Sequence, residues 1–284
     1  MSDARDLIDD TLELASLPAV VLRALELLNA PDSSAADIGQ VISEDPALSV
    51  RLLRIVNSSF YGFPSRIETI SRAITIVGTL EITDLVLGSS AVEAFAGLPN
   101  ELIDMQQFWE HSLYAGVVAR VLARHHRAPN TERFFVSGLL HDIGSLVLYH
   151  QRPEESRRAL ELARAGRPLH QVEQEIFGFD HSDVGAELMQ AWNLPEAFVE
   201  AARHHHRPLE AQEYPLETAM VHLADIIAAG AHLTGSATNQ VPPLEPRAWE
   251  LTGLALDITE SVIEEADRQY ADALAVILPS ASAA

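Results

Sequence analysis

No cysteine occurs in the chain, which removes disulfides, thiolate-bound metals and a cysteine nucleophile together. Lysine is missing as well, so all 19 basic residues are arginine and only guanidinium groups are on hand to hold a phosphate. Positive charge is scarce: 41 acidic residues leave a net charge of −22, a field that repels nucleic acid and anionic membranes. No uninterrupted apolar run approaches the ~20 residues needed to cross a bilayer. The start, Met1 to Asp6, is polar and acidic, unlike a secretory leader. A soluble, cytoplasmic protein is expected, with neither nucleic acid nor membrane as partner. Period-2 alternation bounded by turns is also lacking, which leaves little room for strands.

What is present is helical periodicity. At 284 residues and 48% hydrophobic the chain can bury a sizeable core, enough for about two domains, and an all-α fold is expected. Leu17 to Ala30 reads as the first core helix, with Pro18 in its first turn and Leu22, Leu25 and Leu28 on one face. Ser33 or Ser34 caps a short helix through Ser43, and a third begins at Pro46 and loosens at Asn57. Two more, about Glu68 to Val77 and Thr79 to Phe95, divide at Gly78. Gly97-Leu98-Pro99-Asn100-Glu101 marks the expected boundary between an N-terminal helical subdomain, 1–100, and a second, 101–234. Over 235–284 we expect a linker from Gly235 to Pro246, then an acidic amphipathic helix from Ile258 to Ile277. That helix could dock on the body, on a partner or on a second copy of the chain.

In the second half the spacing predicts helices over Asp104 to His126, Glu154 to Ala165, Pro168 to Gly178 and His181 to Trp192, the last capped by Asp180. Further helices run from Pro195 into His204-His205-His206 and from Pro215 to about Ala229. Between the first two, a single helix is expected from about Thr131 to His150, with Phe134, Phe135, Leu139, Leu140, Ile143, Leu146 and Val147 on a buried face. At its middle, Gly138-Leu139-Leu140-His141-Asp142-Ile143-Gly144 puts an imidazole and a carboxylate into apolar surroundings. A charged group there needs a counter-charge, hydrogen-bond donors or a metal. Nearly all of the twelve histidines lie between His111 and His222.

The pair Ala35–Ser43 and Pro46–Val56 has the dimensions of a helix-turn-helix, with Arg51 and Arg54 placed to face phosphate. The net charge favours a solvated or domain-facing surface instead.

The series His111, His141-Asp142, His181, His205-His206, Asp225 resembles the HD superfamily of metal-dependent phosphohydrolases. A fuller resemblance, from Leu17 to about Gly230, is to the HDOD family of bacterial signalling proteins. In the first half it rests on Leu17-Pro18, Asp45-Pro46-Ala47-Leu48, the run from Leu53 to Gly62 and Ala73-Ile74. In the second it rests on Gly178-Phe179-Asp180-His181, Val184-Gly185, Trp192-Asn193-Leu194-Pro195 and His222-Leu223-Ala224-Asp225. The resemblance implies a five- or six-helix N-terminal bundle packed on an HD-type helical bundle, and a regulatory or output role through a signalling protein partner or a small signal.

Many HDOD members have lost metal-ligand residues, but this chain has a ligand-type residue at seven positions that match the HD-GYP branch of cyclic-dinucleotide phosphodiesterases. Those positions, His111, His141, Asp142, His181, His205, His206 and Asp225, imply one or two divalent ions. A nitrogen and oxygen set suits Fe, Mn, Ni or Zn. Asp142 would reach toward a second ion ~3.5–4 Å from the first, with His141 and Asp142 the catalytic residues if the chain hydrolyses anything. Two departures favour a signalling module over a phosphohydrolase. Ser145 stands where an active HD-GYP site has lysine, and the loop Arg207 to Pro215 has no glycine, although Tyr214-Pro215 keeps its place. Arg203 and Arg207 are then the expected phosphate contacts, and Ser112, Ser182 or Asp183 could orient the imidazoles.

Each residue also has an ordinary structural reading. His141-Asp142 could be a buried hydrogen-bonded pair, His111 a core histidine, His181 a first-turn residue beside its cap, and Asp225 the partner of an arginine. His204 is expected to face away from the centre. His125, His126, His150, His170, His222 and His232 are read as surface or structural.

Overall fold

The computed structural model describes residues 4–8, 11–12, 15–96, 100–231 and 240–278. Among these there is no strand, and fifteen α-helices form. Five belong to the first half: α1 (Ala19–Asn29), α2 (Ala35–Ser43), α3 (Pro46–Val56), α4 (Ile70–Val77) and α5 (Thr79–Ala96). Then come α6 (Met105–His126), α7 (Thr131–Leu140), α8 (Ile143–Gln151), α9 (Pro153–Arg164) and α10 (Leu169–Phe177). The last five are α11 (His181–Ala191), α12 (Glu196–His204), α13 (Pro215–Ala231), α14 (Pro246–Thr252) and α15 (Thr259–Ile277). Caps set many of the starts. Ser34 and Asp37 form a capping box on α2, and Asp180 and Asp183 form another on α11. Asp45, Thr69, Asp104 and Asn130 cap α3, α4, α6 and α7.

Four helices make the centre of the molecule. The middle of α5, nearly all of α6 beyond Ser112, and α7 with α8 are buried on every side. The expected single buried face over Thr131 to His150 is therefore too narrow a description. In α1 the buried positions are Val21, Ala24 and Leu25, with Leu28 packed against the core; of the expected stripe Leu22, 39% exposed, turns outward. The boundary read at Gly97 to Glu101 falls mostly on 97–99, outside the described residues, as do 235–239 of the expected linker. Its far end, however, folds into α14. The acidic α15 lies on α6 and α3. Tyr114 Oη donates to Asp267 (2.6 Å), and buried Arg120 donates to Glu132 (3.1 Å) and to Gln269 (3.1 Å).

The expected helix from Thr131 to His150 is two helices, broken at His141-Asp142, where Asp142 takes φ −97°, ψ 5°. Glycines fix the break from both sides. A Cβ on Gly138 would stand 2.8 Å from the Gly116 Cα, so α6 and α7 cross backbone against backbone. A Cβ on Gly144 would stand 2.1 Å from the His181 carbonyl oxygen and 2.4 Å from the Gly185 amide nitrogen, so α8 and α11 do the same. A straight helix has one axis and cannot serve both crossings; the turn at His141-Asp142 lets the chain change direction between them.

Asp84 of α5 is buried at the contact with α7, where it accepts a hydrogen bond from Asn130 Nδ2 (2.9 Å). Burial pushes its carboxyl up to about 7. The folded value exceeds the unfolded one of about 3.9, so folding favours the neutral acid. This group therefore weakens the fold progressively as pH rises from about 4 to about 7. Asp84→Asn keeps an acceptor for Asn130 and should raise the thermal midpoint by several degrees at pH 8 and by less at pH 5. Thermal melts at the two pH values check this, and a gain independent of pH would contradict it.

Candidate metal centre

Five parts of the fold deliver the seven ligand-type residues to one place. α6 brings His111, the α7–α8 turn His141 and Asp142, the start of α11 His181, the end of α12 His205 and His206, and α13 Asp225. Asp142 is at the centre, with its two oxygens facing different neighbours. Oδ2 lies 3.3 Å from His141 Nε2 and 3.9 Å from His111 Nε2. Oδ1 lies 3.3 Å from His181 Nε2 and 3.5 Å from His205 Nε2. Asp225 Oδ1 is 3.2 Å from His111 Nε2 and 3.7 Å from His141 Nε2, and no arginine pairs with it among the described ion pairs. His206 Nε2 is 2.9 Å from His181 Nε2. Two groups with ligand spacing, one of Asp142, His181, His205 and His206 and one of His111, His141 and Asp142, share Asp142; a third joins His141, His205 and Asp225.

The imidazoles are held with Nε2 inward. His141 Nδ1 lies 2.7 Å from the Gly138 carbonyl oxygen and His205 Nδ1 2.7 Å from that of Ala202. A carbonyl only accepts, so both Nδ1 atoms carry a proton, and Nε2 is the atom of each ring that gives a lone pair to an ion once its own proton is displaced. Those Nε2 atoms are buried and without a hydrogen-bond partner. Inward Nε2 atoms beside carboxylates, with no thiolate, are a donor set that fits a divalent first-row ion.

The sequence reading missed Glu173. Its buried carboxylate bonds His181 Nδ1 and also accepts from the His181 amide (3.0 Å), so it fixes both the ring and the start of α11. The hydroxyls of Ser112 and Ser182 are buried without a partner, and Asp183 is engaged in the capping box, so none of the three expected groups has this task. The available signal was one acid on the apolar side of α10, brought to His181 by the left-handed turn at Gly178. Glu173→Gln should weaken metal affinity about ten- to a hundredfold, measured by competition with a chelating dye; unchanged affinity would count against the orienting role.

Burial alone would push the carboxylates up and the imidazoles down. Their mutual attraction reverses this, holding Asp142 and Asp225 well below the usual carboxylate range and His141 up at about 10. The centre is built to keep positive charge between two carboxylates, whether protons or cations supply it.

The centre opens into a cavity of about 470 Å³, lined at its floor by His111, Asp142, His181, His206 and Asp225. Ser145 lines it too, so a hydroxyl occupies the place of the lysine. Arg203 and Arg207 are not on this lining. Arg203 pairs with Glu187 (3.0 Å) and Arg207 faces Asp180 (3.5 Å), Glu210 (3.6 Å) and Asp183 (3.8 Å). Arg164 is the arginine on the lining, which the sequence reading did not pick out. The glycine-free loop spends its amides internally: Gln212, Glu213 and Tyr214 donate backbone N–H groups to Glu200.

The remaining histidines have varied places. His204 faces Glu210 (3.7 Å), His125 faces Glu265 (3.5 Å) and His126 bonds the Thr252 carbonyl (2.9 Å). Buried His222 donates from Nδ1 to the His205 carbonyl (2.7 Å) and accepts at Nε2 from the Glu245 amide (2.9 Å). His170, read as surface or structural, lines the cavity and stacks on His206 at 4.2 Å between ring centroids. Burial, with the His181 charge nearby, lowers it to about 4. His232 lies outside the described residues.

No helix among the described residues is long and apolar enough to cross a membrane. An uncharacterized protein of Treponema pallidum (strain Nichols) is 32% identical over 215 residues, a match covering 74% of this chain but only 40% of that relative. Two solved structures share the fold at 24% identity. The HDOD domain protein of unknown function from Geobacter sulfurreducens has a TM-score of 0.74 over 94% of this chain and 95% of that one. A protein named as a candidate phosphohydrolase from Shewanella amazonensis SB2B has a TM-score of 0.66 over 93% and 97%. The family model of the HDOD domain matches residues 14–208. With more than half of its length under that match, the chain belongs to the HDOD family.

Proposed function

We propose that this chain is a regulatory HDOD module that holds divalent metal in its His/Asp centre, binds a small signal against it and passes the result to a signalling protein partner. The observation that carries this reading is a full ligand series over a cavity whose described lining offers one arginine, Arg164, and no lysine to a phosphate. His111, His141, Asp142, His181, His205, His206 and Asp225 would hold Fe, Mn, Ni or Zn, two ions if Asp142 bridges. Bound metal would supply a Lewis acid at the cavity floor. Around it, Ser145 replaces the lysine, Arg203 and Arg207 are paired with acids, and Glu200 occupies the loop amides. The protein's own groups therefore suit holding a ligand better than driving off a leaving group.

A metal-dependent phosphohydrolase is the second reading, favoured by the open side of the centre, where five ligand-type residues face the cavity. One assay separates the two. The manganese- or iron-loaded chain should leave a generic phosphodiester and a cyclic dinucleotide intact. Turnover that disappears in His141→Ala would hand the assignment to the hydrolase.

A further inference from the structure

On the metal-centre reading above, we propose that the cavity selects a ligand with a single anionic head and an apolar, uncharged body, and disfavours one with a second phosphate. The head belongs at the floor, against the metal. Above it the walls carry apolar groups: Leu102 and Ile103 ahead of α6, Phe108 in its first turn, Leu169 on α10, and Val241 and Pro242 ahead of α14. Val241 is 42% exposed, so this apolar group stands at the lip instead of in the core. His170, stacked on His206, adds a planar surface between floor and wall. The charges point the same way. Among the described residues Arg164 is the single base on the lining apart from the histidines, while Glu101 and Asp104 bring two carboxylates to it. In a chain of net charge −22, a second anionic group up the wall meets repulsion with little to offset it.

The test uses the full chain loaded with manganese, its metal content determined first, and three non-hydrolysable probes measured by calorimetry: methylphosphonate, phenylphosphonate and 1,4-phenylenebisphosphonate. Phenylphosphonate should bind at least about tenfold tighter than methylphosphonate, because the ring is buried against the walls. The bisphosphonate, with a second anionic group across the same ring, should lose that gain. Val241→Asp at the exposed lip and Phe108→Ala within should each bring the phenyl-to-methyl ratio toward one. Equal affinity for the two monophosphonates, or tightest binding by the bisphosphonate, overturns the inference. A metal-loaded chain without the phenyl gain sinks this inference alone. A chain that takes up neither manganese nor Fe, Ni or Zn in its place sinks the metal-centre reading and this one with it.

Discussion

If Asp142 bridges two ions as proposed, Asp142→Ala should cost the protein both, whereas His206→Ala should cost one. The difference follows from position. Asp142 belongs to two of the ligand groups, presenting Oδ2 to His111 and His141 and Oδ1 to His181 and His205, while His206 belongs to one. Removing the shared carboxylate also withdraws half of the negative charge that Asp142 and Asp225 supply to the centre, which raises the cost of burying any cation there. Elemental analysis after desalting should give well under one equivalent per chain for Asp142→Ala and about one for His206→Ala. One ion retained in Asp142→Ala would show that the carboxylate does not bridge.

Gly144→Ala should be among the most damaging methyl additions in the molecule. The new Cβ would lie 2.1 Å from the His181 carbonyl oxygen and 2.4 Å from the Gly185 nitrogen, both backbone atoms that cannot swing aside as a side chain would. α8 and α11 must separate, and the ligands Asp142 and His181 lie at the starts of those two helices. Overpacking of this kind costs about 3 kcal/mol or more, roughly 6–12 °C in thermal midpoint for a chain of this size. Metal affinity should fall with it. Gly230→Ala is the control: a Cβ there meets nothing within 4 Å, and replacing a glycine within α13 should be neutral or slightly stabilising. Equal midpoints for the two variants would contradict the crossing described above.

Local chemistry made much of the fold legible in advance. Ser34 and Asp180 each announce a helix start by a side chain that accepts from nearby amides, and the structure starts its helices there. Gly78 and Gly178 likewise end α4 and α10. The break at His141-Asp142 was not legible, because its cause is non-local. Gly138 needs Gly116, and Gly144 needs Gly185, partners that only the packed helices bring close. The ligand-type residues were chosen by family resemblance, and the fold gathers all seven. Around them, Glu173 is marked in the sequence by nothing more than its place on the apolar side of α10, and Arg164, in an amphipathic helix, carries no local mark of lining a cavity. The misplacing of Leu22 in α1 has a simpler origin: leucine and valine are equally good core residues, and spacing alone could not rank Leu22 below Val21.

Metal content of the freshly purified, chelator-free protein tests the claim beneath all of this, that distant imidazoles and acids are folded together to grip cations. About two equivalents of Fe, Mn, Ni or Zn per chain should be found, and stripping them should lower the thermal midpoint, because the ions bind only the folded chain. A protein that comes out empty, and stays empty after anaerobic reconstitution with each of the four metals, would contradict it.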